Sequence, residues 1–174
     1  IYNYLEDIWY FGTLARTAWL DSGLRDSPLA ATYSYNLVDH EDGVDDNQGS
    51  SAAAITAYAV SSEFDLDDGH KYMFVSRVIP DISFDGSTAD NPVATITLSP
   101  LANPGAGYTS PTSTGGVNNA TVTRTATSPV EVFTEQLDIR VRGRQLSMRV
   151  ESAATGVTWQ LGSPRLDMRP DGRR

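Results

Sequence analysis

His40 and His70 are the only imidazoles in the chain, and each sits among carboxylates, so acid–base or nucleophilic chemistry is the first possibility to weigh. A serine triad needs a histidine oriented by an acid and placed beside an activated serine, yet no G-x-S-x-G elbow is present. Phosphate-cradling GxxxxGK is missing, and the glycines fall in turns without the strand-to-helix context that a dinucleotide fingerprint requires. Cysteine is absent, which removes thiolate catalysis, disulfides, zinc ribbons and iron–sulfur ligation together and leaves the redox compartment unread. The two histidines read as solvent-exposed loop residues, and no catalytic residue and no cofactor is expected.

Carboxylates are the next candidates. The runs Asp39–Asn47 and Glu63–Gly69 are oxygen-rich enough to be weighed as calcium loops, with Asp42, Asp45 and Asp46 as the ligands. Neither run has EF-hand spacing, because the required oxygen positions and a closing glutamate do not line up. Solvated loops with Asx-turn chemistry, and a simple turn at Asp67-Asp68-Gly69, account for them better. Glycoside hydrolysis would need two acids about 5 to 9 Å apart across a cleft, and nothing in the spacing places such a pair.

The basic residues are distributed very unevenly. From Ile1 to Gln136 there are 5 Lys+Arg against 18 Asp+Glu, and from Leu137 to Arg174 there are 8 arginines against 4 acids, so a net charge of −9 divides into −13 and +4. Only Lys71 is a lysine, and arginine is the residue that grips carboxylates or phosphates in a fixed geometry. In QLDIRVRGRQLSMRVES and GVTWQLGSPRLDMRPDGRR the arginines alternate with apolar residues, which predicts strands with one core face and one guanidinium face. Arg140, Arg142, Arg144, Arg149, Arg165 and Arg169 are therefore candidates for subunit contacts or phosphate contacts, with Arg173 and Arg174 nearby in sequence. Interleaved Asp138, Glu151, Asp167 and Asp171 favour arginine–carboxylate ladders, within the chain or between chains, over non-specific DNA binding.

Aromatic residues crowd the other end. Trp9, Tyr10 and Trp19, with Tyr2, Tyr4, Tyr33 and Tyr35, could form a stacking platform for sugars or bases, or pack into a core or interface. Trp159, alternating with Val157 and Leu161, is expected in the core.

The elements that must position these residues are strands. Helical periodicity is nearly absent, whereas Ile8–Thr13, Arg16–Leu20, Ala54–Ser61, Tyr72–Pro80, Val93–Leu98, Ala120–Thr125, Leu137–Val141, Leu146–Glu151 and Val157–Leu161 are rich in Val, Ile, Thr, Tyr and Trp. Gly, Pro, Asn, Asp and Ser clusters separate them at the spacing of a sandwich or barrel. The first two strands, joined through Gly12-Thr13-Leu14, form at most a marginal ribbon and are expected to complete a sheet supplied from elsewhere. Long loops are expected at Asp39–Ser51 and Ser99–Asn119. Residues 1–38 thus read as one body, 39–53 as an acidic loop and 54–174 as a β-sandwich of jelly-roll type. Within the latter, Arg142-Gly143-Arg144-Gln145 is a plausible hairpin turn with Gly143 at positive φ. That turn would put Leu137, Ile139 and Val141 on one core with Leu146, Met148 and Val150. Asp138, Arg140 and Arg142 would share the opposite face with Ser147, Arg149 and Glu151.

At 174 residues the chain can build a core without staples. No stretch has the roughly 20 apolar residues of a membrane helix and no signal-peptide pattern opens it, so a soluble protein without membrane insertion is expected. The start at Ile1 within an apparent strand suggests a piece of a longer polypeptide.

The run Tyr4-Leu5-Glu6-Asp7-Ile8-Trp9-Tyr10-Phe11-Gly12-Thr13-Leu14-Ala15-Arg16-Thr17-Ala18-Trp19-Leu20-Asp21 resembles the closing blade of the propeller-like structural proteins of short-tailed bacteriophages and related prophages. The segments Phe64–Gly69, Met73–Asp81 and Arg140–Arg144 through Arg169–Arg174 extend the resemblance over most of the chain, in the order found in the C-terminal part of tail tubular or nozzle proteins and packaged-DNA stabilisation proteins. It implies strands completing a propeller-like sheet and a non-enzymatic virion part in the phage tail. Such a part would form a sixfold homo-oligomeric ring around the DNA exit channel. Its partners would be other copies, neighbouring tail or adaptor proteins and, transiently, double-stranded DNA. An acidic or neutral channel lets DNA slide, so the arginines are expected at subunit contacts rather than along the lumen. The competing expectation is a carbohydrate- or receptor-binding module at the tail tip that uses the aromatic group.

Overall fold

A computed structural model describes residues 2–5, 7–9, 13–21, 23–67, 69–101 and 125–172, and these are all strand, turn and irregular chain without a helix. The protein is all-β. The chain divides into two compact units, Ile1–Gly43 and Val44–Arg174, a division that falls within the acidic run.

The first unit holds β1 (Tyr2–Asn3), β2 (Ile8–Trp9), β3 (Arg16–Leu20), β4 (Leu29–Thr32) and β5 (Leu37–Asp39). β1 pairs with β2, and β3-β4-β5 form an antiparallel three-stranded sheet. The two aromatic strands therefore do not form a ribbon with each other. β2 pairs back across the short turn to β1, and β3 pairs forward with β4 across the longer connection from Asp21 to Pro28. The β4–β5 turn is fixed by Thr32, whose hydroxyl accepts a bond from the Asn36 N–H at 3.1 Å, while Tyr35 adopts φ 64°. Among the described hydrophobic residues of this unit only Ala30 is buried.

The second unit holds β6 (Asp45–Asp46), β7 (Ala53–Ala54), β8 (Ala57–Val60), β9 (Phe64–Asp65), β10 (Met73–Ile79), β11 (Ile82–Ser83), β12 (Val93–Leu101), β13 (Ala126–Glu131), β14 (Leu137–Gly143), β15 (Gln145–Ser152), β16 (Gln160–Leu161) and β17 (Arg165–Pro170). Two antiparallel sheets dominate it, β14-β10-β17 and β13-β12-β15-β8, with β9 also on β15. Their inward residues meet in one core that includes Met73, Val75 and Val78 of β10, Ile139 and Val141 of β14, Ile96 and Leu98 of β12, and Leu146 and Val150 of β15. Strict alternation produces this in β14, where Leu137, Ile139 and Val141 are buried and Asp138, Arg140 and Arg142 are exposed. β10 breaks the alternation: its inward residues are 73, 75 and 78, and the register of both its ladders shifts between Val75 and Arg77. That bulge keeps Val78 in the core and turns Arg77 outward.

Several expected boundaries change. The acidic stretch is partly structured, since β6 pairs with β7. β12 runs on to Leu101, past the expected loop start at Ser99, and residues 102–124, which hold the rest of that expected loop and most of the expected strand 120–125, lie outside the described residues. Strand β13 lies outside the expected segments, and β17 lies in the stretch where arginine–apolar alternation predicts strands, though no bounds were drawn for it. Trp159 is only partly buried, packing against the core while its Nε1–H donates to Ser152 Oγ at 3.0 Å.

The turn at Gly143 is also different from the expected hairpin. β14 and β15 belong to different sheets, so the chain crosses between layers there. Gly143 is not at positive φ, because the requirement is space: a Cβ would lie 2.8 Å from both Gln145 O and Pro100 Cβ. Gly143→Ala should therefore lower stability by about 1–3 kcal/mol through overpacking, seen as a fall of several degrees in melting temperature. Gly23→Ala, with nothing within 4 Å of its added methyl, should leave the melting temperature unchanged.

Candidate arginine–aromatic surfaces

The sheet crossing at Gly143 separates arginines that the sequence placed together. With the core between β14 and β15, Arg140 and Arg142 point outward from one sheet, and Arg149 and Glu151 point outward from the other. Among the described residues there is no single guanidinium face.

On the outer face of β14-β10-β17 the registers build short rows across the strands. Phe74 is flanked by Arg142 and Arg169, and Arg77 is flanked by Asp138 and Asp167. Arg165 stands opposite Ile79 at one end, and Arg140 is exposed on β14. The Arg169 guanidinium lies 4.8 Å from the Phe74 ring centre, and Arg142 and Arg144 lie 4.2 and 5.2 Å from that of Tyr72. Arg142 Nε donates to Asp171 Oδ2, and its Nη2 donates to the Asp171 carbonyl at 2.9 Å. Arg77 reaches Asp167 at 3.4 Å. Arg173 and Arg174 lie outside the described residues.

On the other outer face Arg149 donates through Nε to Glu151 Oε2 at 2.8 Å and packs over the Tyr58 ring at 4.2 Å. Threonines surround the pair, with Thr95 opposite Glu151 and Thr97 opposite Arg149.

A guanidinium laid on an aromatic ring is held flat, and its N–H edge remains able to meet a carboxylate or phosphate. In Arg142 and Arg149 that edge is directed to a carboxylate of the same chain. The pairs of Arg77 and Arg142 are around half exposed, a setting in which each contributes about 0–1 kcal/mol. An outside anion would have to displace Asp171 or Glu151 to use Arg142 or Arg149. Tyr58, Tyr72 and Phe74 were missed as partners, because strand alternation shows which face a residue takes but not which residue lies across the ladder.

The remaining candidates have local roles. His40 Nε2 accepts from Arg16 Nε at 2.8 Å, and the imidazole stacks on Trp19 with centroids 4.7 Å apart. Trp9 packs on Tyr2 at 4.7 Å, and Tyr10 lies outside the described residues. Asp45 accepts the Gly156 N–H with both carboxylate oxygens, at 2.7 and 2.9 Å, and Asp46 closes an Asx turn to the Gln48 N–H at 3.0 Å. Asp42 lines an open surface groove of about 570 Å³ with Leu24, Arg25, Asp26, Ser27, Asp39 and Glu41. Among the described residues no three His, Asp or Glu side chains are grouped to hold a metal ion. No family model matches this chain, and neither does any curated protein or solved structure.

Two outcomes follow. Asp45→Ala leaves the Gly156 N–H without its acceptor and should cost about 1–3 kcal/mol, whereas millimolar calcium or a chelator should leave the melting temperature of the unaltered protein in place. The Tyr2 hydroxyl donates to Asp7 Oδ1 at 2.5 Å, and this bond, with a smaller contribution from desolvation, raises its pKa above the ordinary 10.0. Because the folded pKa is raised, the bond's contribution is complete below the unfolded value and is lost as pH rises through the folded one. Alkaline absorbance titration should show Tyr2 ionising above pH 10.0, returning to the ordinary range in Asp7→Asn.

Proposed function

We propose that this chain is a structural component of a bacteriophage tail, of the tubular or nozzle kind, whose copies assemble around the DNA exit channel with neighbouring tail proteins. The surface of the first unit carries the reading. Trp9 is 74% exposed, Trp19 49% and Tyr35 99%, and Tyr4, Leu5, Leu20 and Leu37 are exposed with them. Two small sheets, β1-β2 and β3-β4-β5, with so much apolar surface open to water are unfinished until something covers them, and exposed apolar patches mark protein–protein contacts. The first unit then completes a propeller-like sheet using strands from elsewhere in the assembly. The arginine surfaces fit the same role. Arg77, Arg142 and Arg149 already share their charge with Asp167, Asp171 and Glu151, which lowers the pull of these three on DNA.

The same exposed aromatics favour one other reading, a carbohydrate- or receptor-binding module at the tail tip, in which Trp9 and Trp19 are the stacking platform.

Single-tryptophan versions that retain Trp9 or Trp19 separate the two. On assembly, access of a soluble quencher to either residue should drop several-fold, and the native mass should become a multiple of 18.8 kDa. A chain that stays monomeric, with quenching relieved by added glycans, supports the tip module and overturns the assembly reading.

A further inference from the structure

Among the described residues, three of the four edges of the two main sheets are guarded against pairing with other strands. β14 carries Asp138, Arg140 and Arg142, β17 carries Arg165, Asp167, Arg169 and Pro170, and β13 carries Pro129 and Glu131. Charges and prolines at such positions are the usual protection of a sheet edge. The fourth edge, β8, has none: between Asp46 and Glu63 the chain contains no charged residue and no proline. All four residues of β8 are exposed.

The hydrogen-bond phase of β8 can be read from its neighbour. Ser61 N–H donates to Met148 O at 2.8 Å, one step beyond the Arg149↔Val60 pair of the β15–β8 ladder. In an antiparallel ladder bonded and non-bonded pairs alternate, so Ala59 and Ala57 bond to β15, and the N–H and C=O of Tyr58 and Val60 point away from the sheet. Open to water in the single chain, this row of main-chain groups is also a template on which another strand can pair.

We infer that β8 pairs antiparallel with β8 of a second copy across a twofold axis centred on Tyr58. That register sets Tyr58 opposite its own copy and Val60 opposite Thr56, so every outward N–H and C=O meets a partner. On the other face Ala57 meets Ala59, and two small side chains allow close approach. Tyr58 is braced by the Arg149 guanidinium at 4.2 Å, and that arginine is itself matched by Glu151. The contact is thus nearly charge-neutral, whereas two bodies of net charge −9 would repel through most other surfaces. The proposal is independent of the phage-tail reading, because it uses main-chain groups of the second unit and none of the exposed aromatics of the first.

Sedimentation of the full chain over about 1–100 µM, a range spanning ordinary micromolar association, is the test. Val60→Pro removes an outward N–H but no bond to β15. It should halve the mass of whatever assembly the protein forms while keeping the melting temperature, whereas Ala59→Pro should lower the melting temperature. Tyr58→Lys and Tyr58→Glu should each weaken pairing by about tenfold or more, since like charges face each other across the axis, and an equimolar mixture of the two should restore it. A chain monomeric at all concentrations overturns the inference, as does self-association that Val60→Pro leaves intact or a mixture that does not recover. Failure of the tryptophan experiment with these outcomes intact would remove the tail assembly and leave the strand pairing standing.

Discussion

Burial of apolar side chains between two antiparallel sheets holds the second unit together, and the chemistry of its surface follows from what that burial leaves outside. The core takes alternate residues from β12, β14 and β15. In β10 the register shift in both ladders brings Val78 inside and sets Arg77 between Asp138 and Asp167. The same shift therefore serves packing and electrostatics at once. Because the chain crosses from one sheet to the other at Gly143, two strands with the same apolar–arginine alternation present their arginines to opposite sides of the unit. The crossing in turn depends on a residue without a Cβ, since the Pro100 side chain and the Gln145 carbonyl occupy the space that a methyl group would need.

Magnitudes decide what the arginines can do. An exposed arginine–carboxylate pair contributes about 0–1 kcal/mol, and an exposed cation–π contact about 0.5–1 kcal/mol. Neither is a large term in folding, yet together they hold each guanidinium in place and lower its net pull on a distant anion. A surface built to hold DNA would leave its charges uncompensated, since affinity there grows with each phosphate neutralised. Here Arg77, Arg142 and Arg149 face carboxylates of their own chain. Arg140, Arg165 and Arg169 are exposed without an ion pair to a carboxylate among the described residues, so the compensation is partial and falls on particular arginines rather than on the whole surface.

The fold class and the core face of β14 were legible in the sequence because period-two alternation is a local signal. Leu137, Ile139 and Val141, with Leu146 and Val150, lie in the core as the alternation requires, with Met148 partly buried against it. What alternation cannot carry is pairing. Treating Arg142–Gln145 as a hairpin assumed that adjacent strands bond to each other, and that assumption placed Arg140 and Arg149 on one face. β17 was legible only in part: arginine–apolar alternation marked its stretch as strand-forming, but with Leu166 and Met168 only partly buried between charged neighbours and a proline, neither its bounds nor its pairing with β10 could be read. Asp45 looked like a metal-loop residue because its acidic neighbours are close in sequence, but its acceptor role at Gly156 links positions 111 residues apart. The aromatic partners of the arginines are equally non-local.

The two unfinished surfaces differ in what can complete them. Apolar side chains such as those of the first unit can be covered by any complementary surface, because hydrophobic burial is non-directional. The outward N–H and C=O groups of β8 are directional, and an extended strand meets them in register. A contact of the first kind can be heterologous and close a ring, whereas β8 paired with its own copy is isologous and stops at two. The two contacts lie on different units and can form together or separately. Acting alone, the β8 contact would yield a dimer with one sheet continuous across both copies. The neutrality of the chain between Asp46 and Glu63 is what makes either outcome compatible with a protein that carries nine net negative charges.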